Sequence, residues 1–179
     1  MVKSIQSKRN IENMKIIVKI ALVLVILLSA CKDSKKTSIK TNHNPESILQ
    51  EYMFAWTKHD ASEIGSFFDQ NVIWYNLPSD TIIKGKSNVT KHITDTFMGN
   101  VPDMYWVRSG DAFIDKNTIT YEWTYGGTFN GQWGSNIIKN KKFSIKGIST
   151  TTINEEGKII AQKDYYDLYR LQKQLERVE

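Results

Sequence analysis

The chain has 179 residues, 40% of them apolar and 11% aromatic, with 24 lysines and arginines against 19 aspartates and glutamates. The formal charge of +5 would suit a nucleic acid, but residues 1–30 hold five of the basic residues and one of the acidic, leaving 19 against 18 in the rest. No basic footprint for nucleic acid remains, and the single cysteine, Cys31, excludes an intrachain disulfide.

Lys3, Lys8, Arg9, Lys15 and Lys19 form a cationic start, followed by nine apolar residues from Ile20 to Leu28 and then by Leu28-Ser29-Ala30-Cys31. The run is too short for a bilayer span, which takes about 20 residues, and it fits a secretory signal with small residues before the cut. The tetrapeptide resembles the lipobox of bacterial lipoproteins. That resemblance implies cleavage after Ala30, lipid on Cys31, the membrane as a partner, and a place in the bacterial cell envelope on the periplasmic or surface side. Met14 also opens a complete signal peptide, and the fold does not depend on which start is used. Residues 31–44 then make a lipidated cysteine and a tether, since Lys32 to Asn44 contains one large apolar residue, Ile39, and cannot bury enough surface to order itself.

Residues 45–179 are one domain's worth of chain. Asn44-Pro45-Glu46 is a cap followed by proline at the first helical position, and Ile48, Leu49, Tyr52, Met53 and Trp56 follow at helical spacing. Asp60-Ala61-Ser62-Glu63 predicts a capping box for a short second helix with Ile64, Phe67 and Phe68 behind it. Val72 to Leu77 is a strand, Pro78-Ser79-Asp80 its turn, and Thr81 to Gly85 the return strand. Ser87 caps a third helix carrying Val89, Ile93 and Phe97, which ends at Gly99.

The remainder predicts strands over Met104–Ser109, Ala112–Ile114, Thr118–Tyr125, Ile137–Ile153 with breaks, and Lys158–Tyr166. Ile119, Tyr121, Trp123 and Tyr125 alternate with Thr120, Glu122 and Thr124, the period of a half-buried antiparallel strand. Asn154-Glu155-Glu156-Gly157 is a tight turn, and Leu168 to Val178 a short C-terminal helix. Helices first and strands after define an α+β domain. Glycines at 126, 127, 131, 134 and 147 predict a strongly curved, mostly antiparallel sheet around the N-terminal helices, a cone-shaped α+β barrel.

Several segments resemble, in order, the SnoaL-like (polyketide cyclase-like) branch of the nuclear transport factor two-like superfamily. They are Tyr52 to Asp60, Phe67-Phe68-Asp69-Gln70-Asn71-Val72, Gly85-Lys86, Glu156-Gly157-Lys158-Ile159, Asp164-Tyr165-Tyr166-Asp167 and the ending Gln174-Leu175. In cyclases of this type an aspartate at the end of the last strand is the general acid/base, and the resemblance carries that role to Asp167. The alternative for Asp167 is a helix cap. Ketosteroid isomerases share the fold, and Tyr52 matches their helix-one tyrosine. Their two carboxylates do not carry over, because the corresponding segments read Trp74-Tyr75-Asn76 and Ile148-Ser149-Thr150. Tyr52 is therefore either catalytic or core.

His43, His59 and His92 show no spacing that converges on a metal and are expected to be solvated or capping. Gly126 to Gly131 lacks the ending of a phosphate loop and predicts a hairpin or bulge. Gly147-Ile148-Ser149-Thr150-Thr151 lacks the second glycine of a nucleophile elbow. No cofactor is implied. Five tryptophans in a small domain suit a pocket for an apolar or aromatic molecule, and its expected walls are Tyr52, Trp56, Trp74, Asn76, Trp106 and Trp123. Three functions fit: a ligand-binding cone, an acid/base cyclase or isomerase using Asp167, and a filled cone acting as a structural module. A sheet surface that pairs two protomers as a homodimer accompanies the last.

Overall fold

The computed structural model describes residues 44–176, all within the unit Lys40–Glu179. The expected signal peptide, Cys31, the tether through His43 and the last residues of the C-terminal helix lie outside the described residues. No helix among the described residues is long and apolar enough to cross a membrane.

Helix α1 (Pro45–Thr57) starts as its sequence directs, with the Asn44 side chain accepting from the Glu46 amide at 3.1 Å. It buries Ile48, Leu49, Tyr52, Met53, Ala55 and Trp56. Helix α2 (Ala61–Ser66) is capped by Asp60, which accepts from the Ser62 and Glu63 amides at 2.9 and 3.1 Å. The box is only half closed, because the Glu63 carboxylate turns to Lys58 Nζ at 2.6 Å instead of back to the cap. Phe67 and Phe68 fall outside this helix, and Phe68 opens the first strand.

Strand β1 (Phe68–Asn76) and strand β2 (Thr81–Lys84) form the expected hairpin. Helix α3 (Lys86–His92) corrects the cap assignment. Gly85, at φ 86°, supplies the entry and accepts from the Val89 amide, so Ser87 lies inside the first turn. The helix then widens into a π-helical turn, Ile93–Met98. The i, i+4 apolar spacing of Val89, Ile93 and Phe97 holds for an α-helix and does not distinguish the wider turn.

The remaining strands are longer than the expected segments. Strand β3 (Tyr105–Asp115) is one strand with a register shift between Arg108 and Ala112 in place of two. Strand β4 (Thr118–Trp133) runs through the glycine cluster, where a shift between Phe129 and Gly131 marks a bulge inside a strand. Strand β5 (Asn136–Ile153) and strand β6 (Ile159–Tyr166) are joined by the Asn154–Gly157 turn, with Gly157 at φ 76°. Helix α4 (Leu168–Glu176) packs on β5 through Leu171 and Leu175, and the Gln174 side chain bonds both the amide and carbonyl of Ser144.

The strand order is β2-β1-β6-β5-β4-β3. All neighbours are antiparallel except β1 and β6, which pair in parallel. The fold is thus mixed α+β as expected, but the sheet is open, with β2 and β3 at its edges, and does not close into a barrel. Bulges bend strands and increase twist, and the shifts in β3, β4 and β5 curve the sheet over α1. Gly147 is a close-approach glycine in that sheet. It faces Trp123 across the β4–β5 ladder, and a Cβ there would lie 2.3 Å from the indole.

Candidate functional site

The inner face of the sheet and the helices enclose a cavity of about 330 Å³, within the usual range for small-molecule sites. Each wall follows from a periodicity. The alternation on β4 points Trp123 and Tyr125 inward, and that on β6 does the same for Asp164 and Tyr166. Trp56 comes from the buried face of α1, and Trp74 with Asn76 from the end of β1. The end of α3 and the π-helical turn bring His92, Thr96 and Phe97 to one side, with the His92 and Phe97 rings 5.4 Å apart. Leu168, Leu171 and Leu175 of α4 close another side.

All five tryptophans line this cavity, Trp133 included. Of the residues expected as walls, Trp56, Trp74, Asn76, Trp106 and Trp123 are there, and Tyr52 is not. Tyr52 is wholly buried among Trp56, Phe67, Phe68 and Trp106, edge to face with each. Its hydroxyl and the Trp56 indole N–H, one turn on, make no hydrogen bond of acceptable geometry, though they lie close enough to influence each other. Burial raises the hydroxyl far above its ordinary pKa. A buried hydroxyl without a partner costs stability, so Tyr52→Phe is expected to be neutral or to stabilise the fold by up to about 1 kcal/mol. Urea unfolding checks this, and a loss above about 1 kcal/mol would mean that the hydroxyl has a partner after all.

The carboxylate in the cavity is Asp164. It is 7% exposed and sits in a buried polar network on three strands. Trp74 Nε1 donates to its Oδ2 at 2.5 Å, while Ser149 Oγ at 2.6 Å and Gln162 Nε2 at 2.9 Å donate to its Oδ1. The network continues outward, with Trp123 Nε1 donating to Ser149 Oγ at 2.7 Å and Thr151 Oγ1 to Gln162 Oε1 at 2.7 Å. Desolvation raises the Asp164 carboxyl above its ordinary value, against the three donors, which favour the charged form.

Asp167, the position to which the family resemblance carried the acid/base role, is exposed and lies outside this cavity. Its Oδ1 accepts from the Arg170 amide at 2.9 Å, the bond of an N-cap on α4. Asp167→Ala is expected to cost about 1 kcal/mol in thermal unfolding and to leave ligand affinity unchanged. The signal that points to Asp164 is strand phase, since Gln162, Asp164 and Tyr166 share one face while Lys163, Tyr165 and Asp167 are exposed.

His59 is exposed, and its Nε2 pairs with the Met104 carbonyl at 2.7 Å, which ties the end of α1 to the entry of β3. His92 forms part of the cavity wall, and burial lowers its pKa. No group of three or more metal-ligating side chains occurs among the described residues.

The fold belongs to a known class. A family model described as SnoaL-like polyketide cyclase matches residues 46–175. The chain belongs to that SnoaL-like family, and its fold is the nuclear transport factor two-like fold.

Solved structures agree. A protein of Shewanella denitrificans assigned as a SnoaL-like polyketide cyclase is 17% identical, with a TM-score of 0.65 over 73% of this chain and 96% of that one. AclR of Streptomyces galilaeus, assigned as a hydroxylase, is 15% identical, with a TM-score of 0.62 over 75% and 97%. A hypothetical protein of Catenulispora acidiphila with a ketosteroid isomerase-like fold, in complex with trimethylamine, is 17% identical, with a TM-score of 0.61 over 72% and 91%. Each of these consists almost wholly of the matched segment, so the fold stands alone. No curated protein matches the chain in sequence.

Proposed function

We propose that the protein is a lipid-anchored envelope protein whose SnoaL-like domain binds a small apolar or aromatic molecule in this cavity. The observation that carries the reading is the gathering of all five tryptophans around one cavity of about 330 Å³ with the buried carboxylate of Asp164 in its wall. A filled cone would have no such space. Native mass spectrometry of Lys40–Glu179 tests it. A retained small molecule, lost on Trp74→Ala, is the expected result; a clean apo mass that stays unaltered when aromatic ligands are added would overturn it.

A second reading is acid/base chemistry at Asp164. It is favoured by one observation, a carboxyl raised by burial at the wall of a cavity, which is how a carboxylate is tuned toward working pH. Turnover that falls in Asp164→Asn and persists in Asp167→Asn would support it.

The anchor rests on the basic start, the apolar run and Leu28-Ser29-Ala30-Cys31. Labelled palmitate is expected to enter the protein and to be absent from Cys31→Ala. A homodimer is also proposed, through the outer sheet face where Ile73, Ile148 and Tyr165 are exposed; sedimentation of Lys40–Glu179 tests it.

A further inference from the structure

We infer that the molecule this cavity selects is a protonated amine carried on an apolar or aromatic body, with its ammonium on the open side of Asp164. This rests on the reading that the cavity binds a small molecule and adds the ligand's charge.

Among the described residues, the walls contain no lysine or arginine. The other ionisable groups among the described residues of the wall are two tyrosines, whose pKa values burial raises, and His92, whose pKa burial lowers. An anionic ligand would therefore find no positive partner and would lie beside a buried carboxyl. That arrangement is costly in a medium of low dielectric.

A neutral ligand meets a different difficulty. An ionised carboxylate offers about four acceptor sites. Asp164 has three filled, two on Oδ1 by Ser149 and Gln162 and one on Oδ2 by Trp74. One site on Oδ2 is open, and Asp164 is among the residues that line the cavity. A donor is needed there, and a charged donor makes the stronger bond.

The site is built for the charge. Three donors from three different strands already hold the carboxylate, so little rearrangement is needed when a cation arrives. The aromatic walls then take the apolar body, and a cation near their faces gains further. Burial raises the Asp164 carboxyl; an adjacent ammonium is the opposite charge that favours the ionised form.

Isothermal titration calorimetry on Lys40–Glu179 at neutral pH tests this with three probes of similar size: phenethylamine, phenethyl alcohol and phenylacetate. Phenethylamine is expected to bind at least about tenfold more tightly than the alcohol, with phenylacetate the weakest. Asp164→Asn is expected to erase the gap by weakening phenethylamine more than the alcohol. The three-probe comparison is made on unmodified protein, so it stands even where that variant fails to fold. Equal or tighter binding of the alcohol, or tightest binding of phenylacetate, overturns the inference and leaves the binding cavity intact. Absence of binding by all three overturns it too, and the mass retained in native mass spectrometry then decides the broader reading independently.

Discussion

Asp164→Ala is expected to cost about 3–5 kcal/mol of folding stability and to abolish the preference for an amine, the first measured by urea unfolding and the second by calorimetry of Lys40–Glu179. The loss comes from the partners. Trp74 Nε1, Ser149 Oγ and Gln162 Nε2 all donate to this one carboxylate, and each buried donor left without an acceptor costs about 1–3 kcal/mol. Ser149 can rotate toward another acceptor, which limits the sum. Asp164→Asn keeps one carbonyl oxygen for Ser149 and Gln162 but presents an amide N–H₂ to the Trp74 N–H, so about 1–2 kcal/mol is expected.

The same residue sets a pH dependence. Burial raises the folded carboxyl above its unfolded value, so the folded state holds the proton more tightly. Its contribution is fully present below the ordinary carboxylate range and is lost as pH rises through the raised value. His92 acts in the opposite direction. Its folded pKa is depressed, so its contribution is present above the ordinary imidazole value and is lost as pH falls through the folded one. Subtracting the Asp164→Asn profile from that of the parent protein isolates the carboxyl, and the difference should decline with rising pH. A flat difference would show that the raised carboxyl does not contribute.

The second large effect is at Gly147. Gly147→Ala is expected to cost about 2–3 kcal/mol and to weaken ligand binding at least tenfold. A Cβ at this position would lie 2.3 Å from Trp123 and 2.7 Å from the Tyr165 carbonyl oxygen, and the latter is backbone that cannot move aside. The indole must swing away, and it then loses the bond from its Nε1 to Ser149 Oγ, the group that holds Asp164 Oδ1. Thermal unfolding and calorimetry measure the two parts. A stable variant with unchanged affinity would show that Trp123 is not fixed by this contact.

The caps of α1 and α2, the β1–β2 hairpin and the alternation on β4 were legible because each depends on residues close in sequence. Trp56, Trp74, Trp106 and Trp123 were also readable as walls, since large aromatic residues on amphipathic elements face inward, and Asn76 follows from Trp74 by the period of two on β1. The choice between Asp164 and Asp167 was not. It depends on which phase of β6 faces the helices, and Gln162 with Asp164 makes the buried phase polar, which masks the usual hydrophobic alternation. The lengths of β4 and β5 were hidden for a related reason. Gly126 and Gly147 read as breaks, whereas they are places where Tyr105 and Trp123 lie across continuous strands.

The parallel pairing of β1 with β6 also sets the order in which the molecule is made. Trp74 and Asp164 are 90 positions apart, and closing a loop of that length costs about 4 kcal/mol of chain entropy before any contact offsets it. Contacts of such high order slow folding. As the polypeptide emerges from N- to C-terminus, the helices and the first hairpin must wait for nearly the whole sequence before β1 gains its inner neighbour. A chain ending before Ile159 would keep all five tryptophans but leave β1 unpaired on that side and Trp74 without its acceptor. The binding site is therefore the last part of the domain to exist, and a nascent or truncated chain has no smaller version of it.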